Sequence, residues 1–150
     1  MAEIKKILFP CDLTEDFSRI LPYVLSISEK YNSVIYLLHV IQDLHKWGKL
    51  YMPHVSMNQV EKEALKSAQD ALDRVCEEQL QGCPGLQRRL ASGDPAVEIL
   101  KMIDSEGIDL VVMGTHGRKG LEHRIFGSIA EKVVKKSPVP VLTINPYKLK

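Results

Sequence analysis

The chain has 150 residues, 45% of them hydrophobic, and a formal charge of +1 with its histidines neutral. That length and apolar content suit one globular domain spanning 1–150, and the near-cancelled charge argues against a general nucleic-acid or membrane-surface binder. No apolar run approaches the roughly 18 residues of a membrane span, and the charged start MAEIKK lacks a signal-peptide core, so a cytoplasmic protein is expected.

Two apolar patterns alternate along the chain. The first strand is predicted over Ile4–Phe9 (IKKILF), ahead of FPCDLT. A helix follows, with Phe17, Ile20, Leu21, Val24, Leu25 and Ser28 on one stripe. Pro22 is read as lying near its first turn, where a missing N–H costs little. A second strand occupies Val34–Ile41 (VIYLLHVI). Residues 42–57, with Pro53, two histidines and the only tryptophan, fall outside the alternation and read as a long loop.

A longer helix is expected over about Gln59–Leu80, with Val60, Ala64, Leu65, Ala68, Ala71, Leu72, Val75 and Gln79 inward. Leu86–Ala91, carrying Arg88 and Arg89, reads as an edge strand. Gly93-Asp94-Pro95 opens the next helix with an Asp cap and a first-turn proline, and Gly107 stops it. Ile108–Met113 is the fourth strand, Ser128 to about Lys136 the last helix, and Val139–Ile144 the fifth strand. Nearly unbroken apolar strands are those covered on both faces. The expectation is an α/β fold: one open, doubly wound, five-stranded parallel sheet with helices on both faces, Rossmann-like, in the order 3-2-1-4-5.

Cys11, Cys76 and Cys83 are an odd, scattered set, not a secreted disulfide framework, and are read as reduced thiols. Cys11 has no base beside it and is read as a small semi-buried filler, not a nucleophile. His39, inside an apolar strand, reads as a satisfied histidine. Asp12 is a helix cap or turn residue on one reading and a site carboxylate on the other. Lys132, Lys135 and Lys136 read as a solvated helix end complementing the dipole.

Ligands of open parallel sheets sit outside the C-terminal strand ends, where the strand order reverses. Asp12 follows strand one, and Gly114, Gly117 and Gly127 follow strand four. Glycines there leave room for phosphate against backbone N–H groups, and a helix starting at Ser128 presents its positive dipole end. His116, Arg118, Lys119, His123 and Arg124 add donors. Turn chemistry alone is the competing account of these glycines. No P-loop pattern occurs, nor a G-x-G-x-x-G after strand one.

Gly114-x-x-Gly117, nine residues, then Gly127-Ser128 resembles the G-2x-G-9x-G-[S/T] signature of the nucleotide-binding branch of the universal stress protein family. The similarity extends over KKILFPCDLTEDFSRILPYVLSIS, SVIYLLHVI, GDPAVEILKMIDSEGIDLVVMGTHGRKG and GSIAEKVVKKSPVPVLTI. The resemblance implies a fold of the adenine nucleotide alpha hydrolase-like kind. It places Pro10, Cys11, Asp12 and the backbone of Val40 around adenine, with Asp12 beside the adenosine or a metal ion. Met113 and Gly114 border the ribose, and His116, Gly117, Gly127, Ser128, Ile129 and Ala130 wrap the phosphates. Some relatives carry a hydroxyl where this chain has Ala130, so one side-chain phosphate contact is lost.

The implied ligand is ATP or AMP, with Mg²⁺ accompanying the triphosphate, in a stress-response regulatory module. Relatives commonly pair through the last strand, so a homodimer through Val139–Ile144 is expected, with no nucleic-acid or membrane partner. The alternative is a slow ATP hydrolase or nucleotidyl-transfer enzyme. No catalytic residue is assigned, because Asp12 and His116 lack the accompanying metal ligands and charge stabiliser of fast phosphoryl transfer. A family member that keeps the fold without binding nucleotide is a third, weaker reading, opposed by the intact signature.

Overall fold

A computed structural model describes residues 2–42, 57–115 and 127–149. The elements run β1 (Lys6–Cys11), α1 (Glu15–Tyr31), β2 (Val34–Ile41), α2 (Met57–Gln79), β3 (Gln87–Ser92), α3 (Pro95–Glu106), β4 (Leu110–Gly114), α4 (Ser128–Lys136) and β5 (Val141–Ile144). The five strands form one parallel sheet in the order β3-β2-β1-β4-β5. β3 and β5 are therefore the edges, and β1 is central.

Side-chain alternation splits the core into two layers. Ile7 and Phe9 of β1, Ile35 and Leu37 of β2, and Val112 of β4 pack with Phe17, Ile20 and Val24 of α1 and with Leu72 and Cys76 of α2. Leu8, Leu38, Val111 and Met113 point to the other face, against Ala96, Ile99 and Ile103 of α3 and Ala130 and Val133 of α4. Both faces are covered, which is why these strands read as continuous apolar runs. The Phe9 and Phe17 rings stack with centroids 5.2 Å apart and tie the start of α1 to the end of β1.

Local chemistry corrects several boundaries. β1 starts at Lys6, not Ile4, because the Asp109 carboxylate accepts from the backbone N–H groups of Lys5 and Lys6, each at 2.9 Å. It ends at Cys11, not Phe9, so Pro10 and Cys11 lie within the strand. Ile108 belongs to the stop that follows α3 and not to the strand: its N–H donates to the Ile103 carbonyl at 3.0 Å around Gly107, whose φ is 64°. That six-to-one closure is the left-handed helix stop that glycine permits, and β4 begins only at Leu110. Val139 and Pro140 precede β5; the Val139 N–H is taken by the Ser137 hydroxyl at 3.2 Å, and Pro140 has none.

Two helical expectations also change. Pro22 is the eighth residue of α1, well past its first turn, so the Ser18 carbonyl loses its helical donor. Pro22 and Ser18 are both exposed, where water can satisfy that carbonyl. The inner face of α2 is Leu72, Val75, Cys76 and Leu80, whereas Leu65 is 36% exposed and Gln79 is exposed. A helix of 23 residues runs about 34 Å, against about 26 Å for the longest strand of eight, so about 8 Å of α2 overhangs the sheet.

Candidate functional site

The winding direction reverses between β1 and β4, and the two strands are neighbours, with Ile7 opposite Leu110 and Leu8 opposite Val111. Their ladder ends there. β1 stays paired with β2 as far as Cys11 opposite His39, and β4 with β5 as far as Gly114 opposite Ile144. Alternate residues of a strand turn their backbone groups to opposite neighbours. The Lys6 carbonyl accepts from Asp109 N–H on the β4 side, so Leu8 and Pro10 face β4 as well. Pro10 has no N–H to give, and the sheet is left without a rung at the point where it opens.

β1 leads from that opening into a tight turn. Asp12 Oδ1 accepts from Thr14 N–H at 3.0 Å and from the Thr14 hydroxyl at 2.6 Å, and Leu13 between them has φ 61°. A leucine in the left-handed region is strained by about 1–2 kcal/mol; here the Asp12–Thr14 bonds and the packing of Leu13 against the core hold it. Asp12 is thus a turn residue, as one reading had it. Both bonds use Oδ1, and the carboxylate is exposed at the strand end.

Cys11 is partly buried. Burial pushes its thiol far above the ordinary range, a backbone hydrogen bond at Leu13 opposes the shift, and the Asp12 charge adds to it. Such a shift disfavours the thiolate, and the half-covered side chain packs against the core layer. His39 Nδ1 lies 3.0 Å from the Cys11 carbonyl. A carbonyl only accepts, so Nδ1 carries the proton, and the histidine is a satisfied clasp between β1 and β2. Pro10, Cys11 and Val40 are all partly buried at this end of the sheet, a semi-apolar ledge.

On the other side of the opening, Met113 is 4% exposed and Gly114 ends β4. Thr115 N–H donates to the Ile144 carbonyl at 2.9 Å, and the Thr115 carbonyl accepts from Gly127 N–H at 2.6 Å. That second bond holds the start of α4 against the end of β4. Gly127 is the α4 cap residue, with φ −69° and ψ 156°, and as a glycine it brings no side chain to cap the helix. The first-turn N–H groups of Ser128, Ile129 and Ala130 therefore have no capping oxygen from the cap residue. Glu131, in the same first turn, pairs with Lys135 at 2.8 Å, and that hydrogen bond holds its carboxyl below the usual range. The pairing offsets a charge that would weaken anion binding at the helix start. By contrast α3 is capped by its own Asp94, whose Oδ1 accepts from Val97 N–H at 3.0 Å.

The structure thus gathers Pro10, Cys11, Asp12, Val40, Met113, Gly114, Gly127, Ser128, Ile129 and Ala130 at the C-terminal end of the sheet. His116 and Gly117, with Arg118, Lys119, His123 and Arg124, lie outside the described residues, as does the 43–56 part of the long loop. Among the described residues no group of three His, Cys, Asp or Glu side chains is placed to hold a metal ion. Reading the sequence had His39 satisfied but missed its partner, the Cys11 carbonyl, as it missed Thr14 and the Thr115–Gly127 bond. The Asp-Leu-Thr spacing is a signal for Thr14; the other two join residues 28 and 12 positions apart and have no local signature.

A doubly wound parallel sheet with a crevice at its reversal point defines the Rossmann-like class. Within that class the universal stress protein family matches residues 3–145, and the chain belongs to that family. Universal stress protein MJ0577 of Methanocaldococcus jannaschii is 28% identical over 153 residues, which cover 94% of each chain. Its solved structure superimposes with a TM-score of 0.79 over 94% of this chain and 95% of that one, at 29% identity. Universal stress protein UspA from Lactobacillus plantarum superimposes with a TM-score of 0.77 at 23% identity, covering 97% of this chain and all of its own. A universal stress protein in complex with cAMP shares the fold at a TM-score of 0.59 and 19% identity, over 96% of this chain and 98% of that one.

Proposed function

We propose that this universal stress protein is a single-domain, cytoplasmic stress-response regulatory module that binds an adenine nucleotide, ATP or AMP. The observation that carries the reading is the opening between β1 and β4, with the start of α4 held at its rim by the 2.6 Å Thr115–Gly127 bond. N–H groups at a helix start whose cap residue is a glycine suit phosphate. The ledge of Pro10, Cys11 and Val40 suits a flat base and Met113 and Gly114 the ribose; the family resemblance assigns His116 and Gly117, which lie outside the described residues, to the phosphates. The cAMP-bound relative is in keeping with a purine nucleotide on this fold.

Mg²⁺ is a hard cation that takes carboxylate and phosphate oxygens, and Asp12 at the strand end supplies one such group for a triphosphate-bound ion. Binding of this kind does not by itself accelerate hydrolysis. Backbone N–H groups hold ground state and transition state alike, and rate comes only from contacts that strengthen as charge moves. ATP turnover is expected below about 1 s⁻¹, the low end of ordinary enzyme rates.

Calorimetry with ATP, AMP and GTP tests the reading. Adenine nucleotides should bind in the micromolar range or tighter, and GTP more weakly. Gly127→Ala keeps a backbone that any residue adopts, since φ there is −69°, yet sets a methyl group where phosphate approaches. Affinity should fall at least about tenfold, or about 1.4 kcal/mol, with the fold retained. No heat from any adenine nucleotide at millimolar concentration would overturn the proposal.

A further inference from the structure

Where α2 ends and the chain turns towards β3, a pocket of about 430 Å³ is lined by Cys76, Leu80, Cys83, Leu86 and Arg88. It lies at the N-terminal end of the strands, opposite the crevice described above, because α2 runs antiparallel to the strand it precedes. On an unbroken helix, residues seven apart are separated by about 10.5 Å along the axis, beyond the reach of a disulfide. The helix does not continue. Leu80 N–H still donates to the Cys76 carbonyl at 3.1 Å, but Cys83 N–H donates to the Leu80 carbonyl at 3.1 Å, and Gly82 between them has φ 80°. A four-residue closure with positive φ at its third residue is a type II reversal. It returns Cys83 to the core layer that contains Cys76, and Cys83 packs against that layer. Cys76 is buried, Cys83 is half-buried, and both are free thiols facing one pocket.

We infer that Cys76 and Cys83 are a redox-active pair that closes to an intrachain disulfide on exposure to a small-molecule disulfide. Cys83, the more accessible, attacks one sulfur of the reagent as its thiolate. The reagent's S–S bond breaks, one thiolate leaves, and Cys83 is held in a mixed disulfide. The Cys76 thiolate then attacks the Cys83 sulfur and displaces the second small thiolate. The two protons given up by the protein thiols go to the two released thiolates, so dithiol plus small disulfide becomes protein disulfide plus two small thiols. Arg88, fixed by its 2.8 Å ion pair to Asp73, places positive charge beside Cys76 that favours the resolving thiolate, while burial and the Asp73 carboxylate oppose it. Burial pushes both thiols up, so closure is a slow step at neutral pH that quickens as pH rises.

The test uses the folded full-length chain and oxidised glutathione at pH 7 and pH 8.5, followed by acid quenching, alkylation and tryptic mass mapping. Cleavage after Arg74 and Arg88 leaves both cysteines in one peptide, Val75–Arg88. That peptide should become two hydrogens lighter and refuse alkylation until reduced, with a rate rising about tenfold per pH unit below the thiol pKa. Cys76→Ser should stop at a glutathione adduct on Cys83, and Cys11→Ser should leave closure unchanged. A glutathione adduct that persists on Cys83 of the unaltered chain overturns the inference. So does recovery of both cysteines as alkylated thiols after exposure at pH 8.5, or a disulfide between two chains.

Discussion

Three residues, Asp12, Asp94 and Gly127, govern how the strands hand over to their helices. Asp12 and Asp94 both accept backbone N–H groups after a strand, yet with different results. Asp94 caps the first turn of α3 through Val97 N–H and so occupies that helix start. Asp12 instead bonds Thr14 and closes a turn before α1, which leaves the carboxylate at the crevice. Gly127, with no side chain, leaves α4 without a cap of its own. Asp94→Ala should lower the unfolding free energy by about 1 kcal/mol, the usual loss when an Asp cap is removed. Urea denaturation should show a lower midpoint with an unchanged slope, and nucleotide affinity should not move, because the α3 start is not part of the proposed site. A midpoint equal to that of the unaltered chain would mean that the cap bond contributes nothing net.

Among the elements, β1 is the one that makes the crevice. Its apolar residues Ile7, Leu8 and Phe9 are buried on both faces, as a central strand requires, and Pro10 then interrupts the ladder on the β4 side only. Proline is otherwise confined to sheet edges and strand ends, because it removes a rung. Pro10→Ala restores the donor and lets the β1–β4 ladder run one step further, which narrows the opening. Adenine-nucleotide affinity should fall about threefold to tenfold, while stability changes by less than about 1 kcal/mol. Calorimetry paired with thermal melting separates the two effects. Unchanged affinity would mean that the crevice is held open by something other than the missing rung.

For the whole molecule, the strand order leaves β5 at one edge, next to α4. Leu142 of β5 is 41% exposed and Val134 of α4 is 45% exposed, whereas Val141 packs against the inner layer. An apolar edge strand with outward aliphatic side chains invites pairing with another strand. We expect a homodimer through β5, with Leu142→Lys as the discriminating variant: it charges the outer face without burying a cation, as Val141→Lys would. Light scattering at micromolar concentration should give a dimer for the unaltered chain and a shift towards monomer for Leu142→Lys. A monomer before any substitution would end this expectation.

Reading residues one after another was enough for the alternation of strand and helix, the two-faced burial of the central strands, and the Asp94 and Gly107 helix signals. These depend on periodicity and on bonds within a few residues. The family likeness was legible for a similar reason, since its glycine spacing is linear. Boundaries failed where a distant group took the backbone: Asp109 on Lys5 and Lys6 moves the start of β1, and the proline at position 10 has meaning only once β4 is known to lie on that side. The overhang of α2 was invisible for the same cause, because a helical stripe carries no record of how much sheet lies beneath it. The register of β1 on β4 joins residues about a hundred positions apart, and the placing of Cys76 and Cys83 on one pocket depends on one left-handed glycine. Local propensity determined which elements form. The strand order 3-2-1-4-5 was already legible in the alternation and is the order that forms; the extent of each strand pairing, and with it the opening between β1 and β4, was decided by long-range contacts across the two apolar faces.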